Sequence, residues 1–154
     1  MDTPTKLSDG SLEILKALEG YSGLAYLCQA GVATLGHGTT RGIKLGMTCT
    51  PAQAEEMLRR DVEEFENVVL KHARVPLTQR QFDALVLFVY NIGEPQFLAS
   101  TALKRLNDRD YKGVPEAMSW FNKISRKIGG KRVTTVSLGL SKRRAIEGRL
   151  FSAA

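Results

Sequence analysis

The sequence predicts an α+β protein: a short helix, a small sheet, a long connecting helix and a helical bundle, with a cleft between a small lobe and a larger helical one. Three observations carry this. Apolar residues recur at helical spacing over Leu12–Leu18 and again from Met57 to Val69. The stretch between Gly20 and Leu45 is rich in Gly and Thr and alternates in short pieces such as Val32-Ala33-Thr34-Leu35. From Phe82 to Tyr90 the chain is apolar nearly all round, as a buried helix requires.

In order, the first helix runs from Ser8 or Ser11 to Glu19 and stops at Gly20. Residues 21–45 form two or three short antiparallel strands, too small a sheet to stand without helices against it. Thr50-Pro51 starts the long helix, with Thr as N-cap and Pro in the first turn. Its stripe of Met57, Leu58, Val62, Phe65 and Val69 exceeds 20 residues with its flanks, long enough to bridge two lobes. Thr78 and Gln81 have capping-box spacing ahead of the apolar helix, which Gly93 and Pro95 end. Shorter helices follow near Ser100–Asn107 and Tyr111–Phe121. A basic loop containing Gly129-Gly130 precedes a last helix from Ser141 to about Phe151. The expected organisation is a single domain over 1–154, with a β lobe at about 20–48 and helical parts at 1–19 and 50–154.

The chain has 154 residues and net charge +6, and eight of its basic residues lie between Lys123 and Arg144 with no acid among them. Such a face attracts polyanions, or is simply a solvated surface. No window is long and apolar enough to span a membrane. The first residues lack an apolar export segment, so a cytoplasmic store is expected, with release made by another agent. Cys28 and Cys49 are the only cysteines and His37 and His72 the only histidines; their spacing argues against a metal site. No phosphate-cradling glycine motif occurs, so no cofactor is expected.

The chemistry concentrates in "LEGYSGLAYLCQAGVATLGHGTT", Leu18 to Thr40. Glu19 closes the first helix, where the negative end of the helix dipole favours a carboxyl that keeps its proton. Such an acid can protonate a leaving glycosidic oxygen. By residue type alone the alternatives stay open. Glu19 reads equally as an exposed helix-end glutamate, and Thr34 as a strand threonine. Asn91 can be a helix-end polar residue, Arg143 one charge among three, and Cys28 a small strand hydrophobe.

The order of motifs distinguishes these readings. Glu19-Gly20, Ala25-Tyr26, Gly31, Thr34-Leu35-Gly36 and Gly38 resemble, in register, the pattern of the phage-type lysozymes, the endolysins of glycoside hydrolase family 24. The resemblance runs from about Leu7 to Phe151, through "TPAQAEEMLRRDVEEFENVV", "VPLTQRQFDALVLFVYNIG" and "GLSKRRAIEGRLF". It implies that Glu19 is the general acid and that Thr34 helps hold the attacking water. It also implies that Asn91 binds sugar and that Arg143, or its neighbour Arg144, can pair with the glutamate. Tyr26 and His37 belong with them as cleft-wall residues on the substrate side. The implied activity is hydrolysis of the β-1,4 bond between N-acetylmuramic acid and N-acetylglucosamine, leading to host lysis by a monomer that neither binds nucleic acid nor inserts in a membrane.

Cys28 departs from the pattern, which commonly places Asp there. A thiol can orient water with Thr34, act as a base, or attack directly if deprotonated. Loss of the aspartate also suits a lytic transglycosylase, which needs an acid and no water-activating carboxylate. A basic nucleic-acid-binding module explains the charge but not the ordered motifs, and the basic run lacks interleaved aromatics. Membrane disruption by that run is disfavoured by its glycines and weak helical amphipathicity. Whether oxidation of Cys28, conceivably to Cys49, silences the enzyme is left open; they are the only two thiols, but Cys49 precedes a different helix.

Overall fold

The computed structural model describes residues 3–153. It contains seven α-helices and two two-stranded antiparallel sheets among those residues, the predicted α+β class. The chain divides into two compact units, residues 6–66 and the remainder, with the boundary after Glu66.

In the 6–66 unit, α1 spans Asp9–Glu19. Ser8 caps it by accepting the Ser11 N–H at 3.3 Å, and Leu12 and Leu15 face the core, fully buried. β1 (Ser22–Leu27) pairs with β2 (Ala33–Gly36), but the register slips between Ser22↔Gly36 and Tyr26↔Thr34. The bulged edge is covered from outside: Ala25 N–H donates to Met47 O and Cys49 N–H to Gly23 O, both at 2.9 Å. The expected third strand is thus only a bridge, Leu24 opposite Thr48.

α2 spans Pro51–His72. Thr50 and Gln53 cap it reciprocally, backbone N–H to side-chain oxygen each way, at 2.9 and 3.2 Å. Of the predicted stripe, Leu58, Val62 and Val69 are buried, while Met57 and Phe65 are half-buried. Ala54 and Glu66 share the buried face; Glu66 accepts the Leu7 N–H at 2.5 Å.

In the other unit α3 (Gln79–Ile92) has the predicted capping box at Thr78 and Gln81 and buries every residue from Phe82 to Val89. Phe88 meets Phe97 and Phe121 edge to face, with centroids 6.3 and 5.2 Å apart. α4 (Glu94–Leu98) was not anticipated: Pro95 stops α3 yet sits in the first turn of a new helix, where its missing N–H costs nothing. α5 (Thr101–Asn107), a 3₁₀ turn at Tyr111–Gly113 and α6 (Val114–Ser119) follow.

The largest departure from expectation lies in the basic run. It is a ribbon, β3 (Lys123–Ile128) with β4 (Lys131–Val136), turned by Gly129 and Gly130 at φ 59° and 79°. Consecutive positive φ values make the tight turn that matches strand twist, and glycine enters it without strain. α7 spans Leu138–Ser152, three residues earlier than expected, because Ser137 rather than Ser141 caps it by accepting Leu140 N–H at 3.2 Å.

Candidate active site

Glu19 is the last residue of α1 and is half-buried. Its carboxylate lies beside the backbone of Gly38, where an added Cβ would stand 4.0 Å from Oε2. The two glycines flanking His37 therefore do different work. Gly36, at φ 67°, leaves room for α2: a Cβ there would meet Ala54 Cβ at 3.0 Å and Met57 Cε at 3.1 Å. Gly38 lets the chain pass next to the acid.

Several bonds hold that passage in place. Leu35 and Thr39 exchange backbone bonds at 2.9 and 3.0 Å. The Thr39 hydroxyl donates to Asp61 Oδ2 on α2 at 2.7 Å. His37 was expected among the substrate-side residues. It is instead buried, 7% exposed, and its Nδ1–H donates to the Gly20 carbonyl at 2.5 Å. Its ring also stands 5.5 Å from that of Tyr21, whose hydroxyl donates to Cys49 O at 3.1 Å. His37 thus ties the turn after Glu19 to the end of β2.

Cys28 and Thr34 come together at the other end of the ribbon. Cys28 closes the tight turn to Val32: its N–H donates to Val32 O at 3.0 Å, and Gly31 N–H donates to Cys28 O at 2.8 Å. The neighbouring amides of Val32 and Ala30, and less so the Thr34 hydroxyl, hold the Cys28 thiol below its ordinary value, and desolvation opposes them. Thr34 is buried, and its hydroxyl also reaches Val32 O at 2.9 Å. A hydroxyl has one proton, so it bonds the carbonyl when the sulfur is a thiol and can swing to the sulfur when it is a thiolate. Tyr26 sits opposite Thr34 in the pairing and is 45% exposed.

A Cys28–Cys49 bond, left open by the sequence, does not fit this arrangement. Cys49 bonds near Gly23, at the start of β1, while Cys28 follows its end. Five strand residues separate those positions by about 16 Å, far beyond the ~7 Å that a disulfide spans between Cα atoms. Both thiols are free.

Asn91 and Arg143 belong to the other unit. Asn91 is exposed and its amide oxygen accepts from Arg144 Nη2 at 2.8 Å, which leaves the NH2 as the group open to a ligand. Arg143 is buried, donating to Leu87 O at 3.0 Å and to Glu147 Oε2 at 3.2 Å. Arg144 is also buried, with Nε 2.7 Å from Glu147 Oε1, an ion pair by distance whose N–H is not aligned for a hydrogen bond. Its guanidinium lies 5.1 Å over the Phe88 ring. Burial pushes the Glu147 carboxyl up, and the two guanidiniums beside it oppose that push. Glu147 was missed from sequence, although its i+3 and i+4 spacing from the arginines was a visible signal.

Residues 16–147 match the phage lysozyme family. The chain belongs to that family. It is a lysozyme-type enzyme of the endolysin kind, degrading peptidoglycan, and its α+β fold is lysozyme-like. This phage lysozyme is 42% identical over 149 residues to an endolysin of Acyrthosiphon pisum secondary endosymbiont phage 1, covering 96% of this chain and 99% of that one. A solved endolysin from Escherichia coli O157:H7 phage FAHEc1 is 41% identical with TM-score 0.86, over 96% of this chain and 93% of that one. The muramidase domain of SpmX from Asticaccaulis excentricus is 34% identical with TM-score 0.88, over 97% and 99%.

Proposed function

We propose that this phage lysozyme is a glycoside hydrolase family 24 muramidase with a cysteine at the position usual for aspartate. It cleaves the β-1,4 bond between N-acetylmuramic acid and N-acetylglucosamine. Glu19 donates its proton to the leaving oxygen as the bond from the anomeric carbon breaks. Water held by the Thr34 hydroxyl and Cys28 adds to that carbon, and its proton passes to the Cys28 thiolate. Glu19 is left as a carboxylate and Cys28 as a thiol, so proton exchange with solvent resets the pair. Asn91, Tyr26, His37 and Arg143 are the residues assigned to the substrate side. The reaction needs no cofactor. The working form is a monomer, stored in the host cytoplasm until release and then acting on the wall without binding nucleic acid.

The observation that carries this reading is the turn bond from Cys28 N–H to Val32 O, which with the Tyr26–Thr34 pairing brings Cys28 and Thr34 to one end of the ribbon. Clearing of purified peptidoglycan tests it. Glu19→Gln should fall by about 10²- to 10⁴-fold, the usual worth of a positioned acid. Cys28→Asp should stay active and Cys28→Ser should weaken. A fully active Glu19→Gln would overturn the acid assignment. The cysteine also favours a second reading, lytic transglycosylation, in which no water is activated. A free reducing end among the products marks hydrolysis; a 1,6-anhydro end marks the alternative.

A further inference from the structure

None of the candidate site residues lies on the β3–β4 ribbon. Its register is unbroken from Lys123↔Val136 to Ile128↔Lys131. Alternation therefore places Lys123, Ser125 and Lys127 on one face with Arg132, Thr134 and Val136. The Ser125 and Thr134 hydroxyls lie 3.2 Å apart on that face. Ile124, Arg126 and Ile128 share the other with Lys131, Val133 and Thr135. The first face sets Val136 among its cations; the second sets Ile124, Ile128 and Val133 among Arg126 and Lys131. Every residue of β4 is exposed, and in β3 only Ile124 is half-buried. Beside these charges Ile128, Val136 and Leu138 are 62%, 63% and 70% exposed.

The charges do not serve the ribbon itself. Lys127 stands directly opposite Arg132, a like-charge pair that weakens a two-stranded ribbon. No Asp or Glu occurs from Ala117 to Ile146. None of Lys123, Arg126, Lys127, Lys131 and Arg132 forms an ion pair among the described residues. The arrangement calls for an anion from outside. Nucleic acid and glycan both favour aromatic stacking platforms, and none occurs from Asn122 to Leu150. An anionic bilayer surface offers phosphates to the cations and an apolar boundary to the exposed isoleucine and valines.

We propose that the β3–β4 ribbon is a docking element for anionic phospholipid headgroups, adsorbing the enzyme peripherally to a membrane surface. Adsorption requires no spanning segment, and no helix among the described residues is long and apolar enough to provide one. The proposal does not depend on the catalytic assignment.

Co-sedimentation of the full chain with vesicles tests it. Vesicles of phosphatidylglycerol and phosphatidylcholine in equal parts should bind the protein in a salt-dependent way; phosphatidylcholine alone should not. Each cation at an anionic surface is worth about fivefold in partitioning, so Lys127→Gln with Arg132→Gln should lower binding about 25-fold. Lys71→Gln with Lys112→Gln removes the same charge from exposed sites elsewhere and should change binding by less than about threefold. Ile128→Ser with Val136→Ser should weaken the binding that survives added salt. All three variants should keep the wild-type melting temperature and clearing activity. No binding to the anionic vesicles, or equal loss in the two charge pairs, overturns the proposal. So does tighter binding of duplex DNA with the same dependence on Lys127 and Arg132.

Discussion

β1–β2 and β3–β4 are both antiparallel ribbons closed by tight turns, yet one is irregular and partly buried while the other is regular and exposed. β1–β2 slips register between Ser22 and Tyr26 and buries Ala25, Thr34, Leu35 and Gly36. β3–β4 pairs without interruption and buries none of its residues. A ribbon with one face in the core is held by that face, so it tolerates a bulge, and the bulge re-aims side chains. A ribbon without a buried face has only its ladder and its ends. Here the ends are fixed by Ser137 N–H donating to Asn122 O at 2.7 Å and Arg144 Nη1 donating to Phe121 O at 3.2 Å.

The sharpest way to break the contrast is at that base. Glu147 is fully buried between Arg143 and Arg144. Glu147→Gln keeps the shape but leaves two buried cations without their counter-charge, and should cost about 3–5 kcal/mol in urea unfolding. It should also raise amide exchange in β3 and β4 more than in β1 and β2.

A matched pair of glycine substitutions comes next. Gly36→Ala meets both a positive φ and the close approach of Ala54 and Met57. It should cost about 2–5 kcal/mol, the sum of backbone strain and overpacking. Gly130→Ala has the positive φ but open space around it. Its cost of about 1–2 kcal/mol should stay within the ribbon. The midpoint of global unfolding should then move far less than for Gly36→Ala. Equal shifts would show that the exposed ribbon unfolds together with the rest.

The smallest effect is a displaced pH profile. In a Cys49→Ser background, alkylation by iodoacetamide reads Cys28 alone. The N–H groups of Val32 and Ala30 and the Thr34 hydroxyl favour the thiolate, so the folded value is depressed. The midpoint of the rate should fall below the ~8.5 of a free thiol. Thr34→Val should raise it, and urea should restore the free-thiol midpoint. The sign carries through to stability: the thiolate's contribution is present above the unfolded value and is lost as pH falls through the folded one.

Much of this was legible in the sequence where the cause is local. Thr78 and Gln81 marked the start of α3 because a capping box needs only residues three apart. Glu19 ended α1 because Gly20 follows it. The β3–β4 ribbon was read as a loop because lysines and arginines hide its alternating Ile and Val, and Gly129-Gly130 suits a loop as well as a turn. The candidate site was legible only as a series of motifs resembling a family. That series did not separate His37, buried on Gly20, from Tyr26, which is exposed beside Thr34. The sequence left a Cys28–Cys49 bond open because counting thiols carries no distance; both thiols are free.

By itself, the order of residues determined the α+β class, the caps that start α2 and α3, the glutamate at the end of α1 and the placement of cysteine and threonine in one short segment. These depend on period, caps and neighbours along the chain. Only the tertiary structure decided that Thr39 bonds Asp61 on α2, that His37 faces inward, and that Glu147 sits between two arginines. Hydrogen-bond partners and burial are set by which surfaces meet across the fold, and a linear pattern does not specify where they meet.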